Sequence, residues 1–484
     1  MSDSSAKKET RPRQQGPDTE QPPSFDHEAI SQPRYRRSQA ETCVTDVSRN
    51  AAEKGEQPYT VWSSERAFIL STAAAGVGLG NLWRFPTLVG ENGGGSFLLC
   101  YVIAVVFVSV PFAAIEIAAG RRAHGSTLAS FGGLGRGMAL IGLAIVLLTL
   151  MIDSYYFVVS GWTLGYAVEA TLGAVPAFET FTSGYASIIY FLITCALVTL
   201  VLFFGISGIE QFARVMMPAL VLVLLGLAIF ALNTGDALQA AEFLFNPDLS
   251  QLNDDTVWRA AFGQAFYSLT IGQGYLITYG SYLPRRVNVA RSVLSIATIN
   301  SMVAILAGLA IFPLLFAANL DPTGGSDLAF TALPEAFANQ GWGRVLAPIF
   351  FWLFFLAAFS SCIGGAKVVT AAIREQISRS GSRLAVLLGL GAIALLGLPS
   401  AFSYSALNWQ INGLPVLDFV DRTLGTNAVL GLALLSISAL AWSLPVELWQ
   451  RQLGLRTPWL ADLIVWLSRC LPLALLLVGA LQWV

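Results

Sequence analysis

Charge is what this chain has least of. Only 12% of its 484 residues are Asp, Glu, Lys or Arg, about half the share of a soluble domain, and 55% are hydrophobic. Polar linkers are missing after residue 60, so a string of soluble domains is excluded. Histidine is nearly absent, and the two present, His27 and His124, are too far apart to form a catalytic arrangement. The five cysteines (Cys43, Cys100, Cys195, Cys362, Cys470) are scattered, and no pair has metal-ligand spacing. They read as small core residues. No nucleophile–base set appears, so an enzyme is not expected. Glu116 and Glu210 stand alone and are expected to satisfy helix ends or a broken backbone. The N-terminus is polar, so no cleavable signal peptide is expected.

What the chain does have is apolar length. Many runs reach the roughly 20 residues that cross a bilayer. The expected fold class is an all-α polytopic membrane protein. Eleven spans are predicted: 66–89, 95–119, 138–170, 185–205, 210–232, 258–282, 290–317, 344–375, 384–400, 415–443 and 459–482. Residues 1–58 are rich in Ser, Gln, Glu, Arg and Pro, cannot bury a core, and should form a disordered tail.

Lys and Arg orient the spans. Arg121, Arg122, Arg136, Arg285, Arg286, Arg291, Arg374, Arg379, Arg383, Arg451 and Arg456 all fall in loops on one side, with the basic tail. The opposite loops, about 171–184, 233–257, 318–343 and 401–414, hold neither residue. The expectation is a multi-pass protein of the plasma (inner) membrane, its N-terminus cytoplasmic and its C-terminus external.

Two spans are interrupted. Span 1 carries AGVGLGN and span 6 carries SLTIGQG (268–274), at matching places in two halves that run oppositely through the membrane. Paired interruptions of this kind point to an inverted repeat around a site near the bilayer midplane. The division is spans 1–5 (66–232) and 6–10 (258–443), with 459–482 added. A broken helix in lipid frees backbone groups that cost several kcal/mol each unless something satisfies them. The carbonyl end of one half suits a cation, and the N–H end of the other suits a carboxylate. A zwitterion with sodium fits such a break. The side-chain oxygens on offer are Asn81, Ser268, Asn300, Ser360 and Ser361. Read as a nucleotide fingerprint, GVGLGN would need a preceding strand, which a membrane span does not provide. Arg84 and Glu116, charges within spans, are functional candidates.

GVGLGNLWRFP followed by ENGGGSF resembles the signature of the neurotransmitter:sodium symporters. SYYFVVSGWTLGYA (154–167), GISGIEQFARVMMP (205–218), FYSLTIGQG (266–274), TYGSYL (278–283), AFSSCIGG (358–365) and LDFVD (417–421) are similar to further family motifs. The resemblance covers about 60–484. It implies the LeuT fold, a 5+5 inverted repeat with discontinuous helices 1 and 6, in a transporter domain at 59–484. It implies a sodium-coupled amino acid symporter working by alternating access with two sodium ions. An amino acid-binding membrane receptor without transport would share the same ligand residues. Amino acid and lipid are the expected partners, nucleic acid is not, and monomer and homodimer stay open.

Carried over by position, the resemblance implies a first sodium site of the Gly76 carbonyl, Asn81, Ser268 and Asn300, with the substrate carboxylate. The second would use the carbonyls of Ala74, Val77 and Ala357 with the hydroxyls of Ser360 and Ser361. Substrate would contact Gly76, Gly78, Ile152, Tyr156, Tyr267, Ser268, Thr270, Gln273, Ser361 and Gly365. Arg84 with Asp421 resembles the outer gate, and Trp62 and Glu375 resemble inner-gate positions. Tyr59 stands where the inner-gate arginine is expected, and Lys367 on span 8 is expected to help replace it. Tyr101, Gln264, Ser268 and Asn300 match the family's anion site. Ala304 at the fifth place offers neither hydroxyl nor carboxylate, so chloride dependence stays open. Gln273 and Gly365 replace an aromatic and a branched aliphatic of the family's leucine carrier. The loss at Gly365 is expected to open room for three or four heavy atoms, favouring a polar or larger side chain, or a β- or γ-amino acid.

Overall fold

The computed structural model describes residues 61–319, 343–377 and 382–482. The tail predicted at 1–58 and most of the loop at 318–343 lie outside these residues. Helices α1 (Glu65–Gly76) and α2 (Phe85–Glu91) are joined by a π turn at Gly80–Arg84. Next, α3 (Gly95–Ala104) runs through a π turn into α4 (Val110–Ala123), followed by α5 (Arg136–Thr171), α6 (Ala186–Phe203) and α7 (Gly205–Thr234). The second half holds α8 (Asp255–Ser268), α9 (Tyr275–Gly280), α10 (Val289–Ala317), α11 (Gly343–Gln376) and α12 (Ser382–Ala401). It ends with α13 (Val429–Ser443) and α14 (Pro458–Gln482). A two-residue hairpin pairs β1 (Gln410–Ile411) with β2 (Leu414–Pro415).

Among the described residues nine helices are long and apolar enough to cross a membrane. Spans 1 and 6 are outside that set because each is cut into short pieces. The cuts follow from local sequence. Ser64 caps α1 by accepting the Ala67 N–H at 3.1 Å, with Glu65 in the first turn. The helix ends where Val77 turns extended. Pro86 then sits in the first turn of α2, where its missing N–H is harmless. In the second break Thr270, Gly272 and Gly274 take positive φ of 52°, 77° and 74°. Such a backbone cannot continue a helix, and glycine adopts it without a Cβ penalty.

Large apolar side chains such as Leu140, Val215, Leu222 and Leu395 are exposed on the long helices, as a lipid-facing surface requires. Inside, Trp62, Tyr101, Phe68, Phe97 and Tyr279 are fully buried. The backbones of α4 and α9 meet through glycine. A Cβ at Gly280 would lie 2.5 Å from the Ile117 carbonyl oxygen, and one at Gly120 would overlap the Ile277 carbonyl. Gly120→Ala should therefore destabilise the fold by about 1–3 kcal/mol, read as a lower melting temperature in detergent. Gly137→Ala, where no atom stands within 4 Å, should leave it unchanged or raise it.

Candidate substrate and ion site

At the end of α1 carbonyl oxygens collect around one serine. Ser360 Oγ is 2.7 Å from the Ala74 oxygen, 2.8 Å from that of Ala357 and 3.3 Å from that of Val77. One hydroxyl proton serves one acceptor at a time, so the remaining lone pairs converge without a donor. A hard cation is the natural partner of an all-oxygen cluster. Ser361 points elsewhere: its hydroxyl donates to the Ala75 carbonyl at 3.0 Å. Of the five residues predicted for this site, the structure brings Ala74, Val77, Ala357 and Ser360 together and turns Ser361 toward the substrate side.

The other predicted cluster links α8, α10 and the π turn after α1. Asn81 Nδ2 donates to the Asn300 carbonyl at 2.9 Å and approaches Ser268 Oγ at 3.4 Å and the Asn300 side-chain oxygen. Ser268 Oγ donates to Asn300 Oδ1 at 3.0 Å, and Asn300 Nδ2 donates to the Ser268 carbonyl at 2.8 Å. Asn81 Oδ1 is buried with no hydrogen-bond partner among the described residues. An amide turned over would put that oxygen beside Ser268 Oγ and Asn300 Oδ1, three oxygens at one point. Gly76 lies against the cluster, and a Cβ there would stand 2.6 Å from Asn300 Nδ2.

Between the breaks lies a narrow cavity, with free space of about 20 Å³. Gly76, Gly78, Ile152, Tyr156, Tyr267, Thr270, Gln273 and Ser361, all expected at the substrate, line it together with Ala75, Gly80 and Tyr275. Ser268 is not in the lining and belongs to the asparagine cluster. Tyr156 Oη accepts the Leu79 N–H at 3.1 Å, and a Cβ at Gly78 would lie 2.6 Å from the same oxygen. Backbone at Gly78 is thus the closest approach a ligand could use.

The open space expected at Gly365 is not there. A Cβ on Gly365 would overlap the Asp153 carboxylate and lie 2.5 Å from Tyr275 Oη. Asp153 fills the volume, so Gly365 lies outside the cavity wall and the reading of spare room is corrected. Asp153 was missed in the sequence. The signal was available: an acid inside α5, next to Ile152 and three residues before Tyr156.

The gates are unequal. Arg84 lies over the Tyr267 ring, 4.9 Å from its centroid, and Asp421 accepts the Tyr155 hydroxyl at 2.6 Å. Among the described residues Arg84 and Asp421 form no ion pair, and a second cavity of about 510 Å³, lined in part by Arg84, Tyr267 and Gln273, lies on that side. Opposite, Trp62 is buried, its Nε1 donates to the Tyr279 carbonyl at 2.8 Å and its N–H to that of Tyr282 at 3.0 Å. Glu375 accepts both the N–H and the hydroxyl of Ser126. Lys367 lies over the Tyr282 ring at 5.1 Å instead of pairing with Glu375.

At the predicted anion position Tyr101 Oη is 3.4 Å from Ser268 Oγ and 3.3 Å from Ser301 Oγ, a hydroxyl the sequence reading missed. Gln264 Nε2 donates to the Gly80 carbonyl at 2.8 Å, and its Oε1 is buried without a partner among the described residues. Glu116 Oε1 accepts the Gly272 N–H at 3.0 Å and Glu210 Oε1 the Ser63 N–H at 2.6 Å, so both glutamates serve broken or terminal backbone.

Two interrupted membrane helices around a buried oxygen-lined cavity define a membrane carrier for a small zwitterion and a hard cation. The chain belongs to the sodium:neurotransmitter symporter family, whose model matches residues 59–187 and 177–460. It is 33% identical over 382 residues to an uncharacterized sodium-dependent transporter of Bacillus subtilis, covering 76% of this chain and 84% of that one. Identity to the sodium-dependent nutrient amino acid transporter 1 of Drosophila mojavensis is 26% over 474 residues, 82% of this chain and 72% of the relative. The crystal structure of MhsT in complex with L-phenylalanine superposes with a TM-score of 0.79 at 32% identity, over 87% of this chain and 99% of that one.

Gly78→Ala should weaken substrate binding by at least about tenfold while leaving sodium-induced thermal stabilisation intact, because the added methyl would press on the Tyr156 and Ser361 hydroxyls in the cavity wall. Equal loss of both stabilisations would contradict the placement.

Proposed function

We propose that this chain is a sodium-coupled symporter that imports an amino acid by alternating access, carrying two sodium ions with each substrate. The observation that supports it most is the all-oxygen cluster of Ala74, Val77, Ala357 and Ser360 beside a cavity lined by Gly76 and Gly78. The substrate carboxylate would meet the N–H groups after the break, the Tyr156 hydroxyl and the first sodium ion, held by Gly76, Asn81, Ser268 and Asn300. The second ion would occupy the serine–carbonyl cluster and tie α1 to α11. A shared carboxylate–sodium contact makes each ligand favour the other, and that coupling is reciprocal.

Tyr267 and Arg84 would close over the substrate, with Arg84 swinging from the Tyr267 ring to Asp421. Opening at the other end would break the Trp62 contacts with Tyr279 and Tyr282. Residues 59–484 would form the transporter, built on repeats 66–232 and 258–443, with the arginine-rich loops and the tail at 1–58 in the cytoplasm. One charge crossing 100 mV gains about 2.3 kcal/mol, and a tenfold sodium gradient adds about 1.4 kcal/mol. Two ions with a zwitterion would supply about 7 kcal/mol, on the order of 10⁵-fold accumulation.

Uptake into proteoliposomes under an imposed sodium gradient tests the reading. Accumulation that collapses when the gradient is dissipated is expected, and ligand binding without accumulation would identify a receptor instead. Ser360→Ala should raise the sodium concentration for half-maximal uptake by about tenfold or more, since it removes the hydroxyl at the centre of the cluster. An unchanged sodium dependence would move the second ion elsewhere.

A further inference from the structure

One carboxylate in the substrate region has no assigned task. Asp153 is buried at 1% exposure in the middle of α5. Its Oδ2 has no hydrogen-bond partner among the described residues, and Oδ1 has only the Tyr275 hydroxyl at 3.5 Å. Among the described residues it forms no ion pair. The cations near the site are directed elsewhere. Lys367 lies on the Tyr282 ring and Arg84 on the Tyr267 ring.

Its position is next to the cavity. Ile152 and Tyr156, its neighbours on α5, line it, and so do Tyr275 and Ser361. The Tyr275 hydroxyl bridges Asp153 and the Ser361 carbonyl, at 3.5 and 3.4 Å. A Cβ at position 365 would overlap the carboxylate, so Gly365 leaves the space that admits it. An acid buried in a membrane helix is costly unless a cation or a strong donor meets it. Behind the part of the cavity wall formed by Tyr275 there is therefore an acceptor-rich group, the Asp153 carboxylate with the Ser361 carbonyl, joined through the Tyr275 hydroxyl.

We propose that Asp153 is the specificity-determining residue of this transporter and selects an amino acid whose side chain ends in an amine, of the lysine or ornithine type. The inference rests on the symporter reading and sharpens its substrate class. The α-carboxylate would be met by sodium and the N–H groups after the break in α1, and the α-ammonium by carbonyls freed at the breaks, so a side-chain ammonium is left to complement Asp153. On entry it displaces the Tyr275 hydroxyl from Oδ1 or is relayed through it. A neutral aliphatic side chain of the same length fills the same volume but leaves the carboxylate unmet.

The test is a thermal-shift and isothermal-titration panel on the full chain in detergent, with and without sodium, using lysine, ornithine, norleucine and phenylalanine. Sodium-dependent binding of lysine or ornithine roughly 10- to 100-fold tighter than norleucine is expected, the usual range for a charged hydrogen bond. Asp153→Asn should bring lysine to within about threefold of norleucine. Norleucine or phenylalanine binding with sodium more tightly than lysine would overturn the inference and leave the symporter reading standing. So would an Asp153→Asn protein with an unchanged ranking. Sodium-independent responses to all four amino acids, or none, would overturn both. The wild-type ranking decides the matter should Asp153→Asn fail to fold.

Discussion

Backbone groups freed at a helix break in lipid must find partners, and that demand organises the molecule. The two breaks meet it differently. After α8 the protein supplies the partners itself. Glu116 accepts the Gly272 N–H at 3.0 Å, and Thr149 and Thr127 hydroxyls donate to the carbonyls of Gln273 at 2.7 Å and Gly274 at 3.1 Å. After α1 the carbonyls of Ala74 and Val77 meet one another around the single proton of Ser360. Side chains meet part of the first break as well, Tyr156 at the Leu79 N–H, Gln264 at the Gly80 carbonyl and Ser361 at the Ala75 carbonyl, but the Ala74 and Val77 carbonyls are left to share one proton.

That asymmetry bears on coupling. Ser360 and Ser361 belong to α11 and the carbonyls of Ala74, Ala75 and Val77 lie at the end of α1, so a cation at Ser360 would join two helices whose hydrogen bonds here are made by those two hydroxyls. The asparagine cluster joins the π turn, α8 and α10. Ion binding at either place would therefore act on the relative position of helices, which is what a two-state carrier needs from its ligands.

Much of this was legible in the sequence, because its strongest signals are local. Glycine-rich interruptions, a proline after the first break, and arginines confined to alternate loops each have a local physical cause. Asn81, Ser268 and Asn300 come together in one cluster, and Ser360 meets the Ala74 and Val77 carbonyls in another. What the sequence did not show depends on neighbours distant in the chain. Ser361 turns to the Ala75 carbonyl because the Tyr156 hydroxyl and Gly78 lie beside it. Arg84 rests on Tyr267 and not on Asp421, whose oxygen Tyr155 occupies. Lys367 was expected to help replace the missing inner-gate arginine, but it lies over the Tyr282 ring while Glu375 accepts the Ser126 hydroxyl.

Gly365 shows why position-by-position transfer fails where packing is shared. Exchanging a branched residue for glycine leaves a hole only if the surroundings stay the same, and interiors are packed too closely to leave one empty. Here α5 carries Asp153 at the facing position, and Tyr275 closes the remainder. The three positions form one unit. Glycine is required because the carboxylate is there, and the carboxylate is tolerable only if a phenol and, in turn, a ligand meet it. The volume lost at one residue has become charge at another. The cavity differs from an aliphatic pocket less in size than in what its wall at Tyr275 demands of the side chain that reaches it.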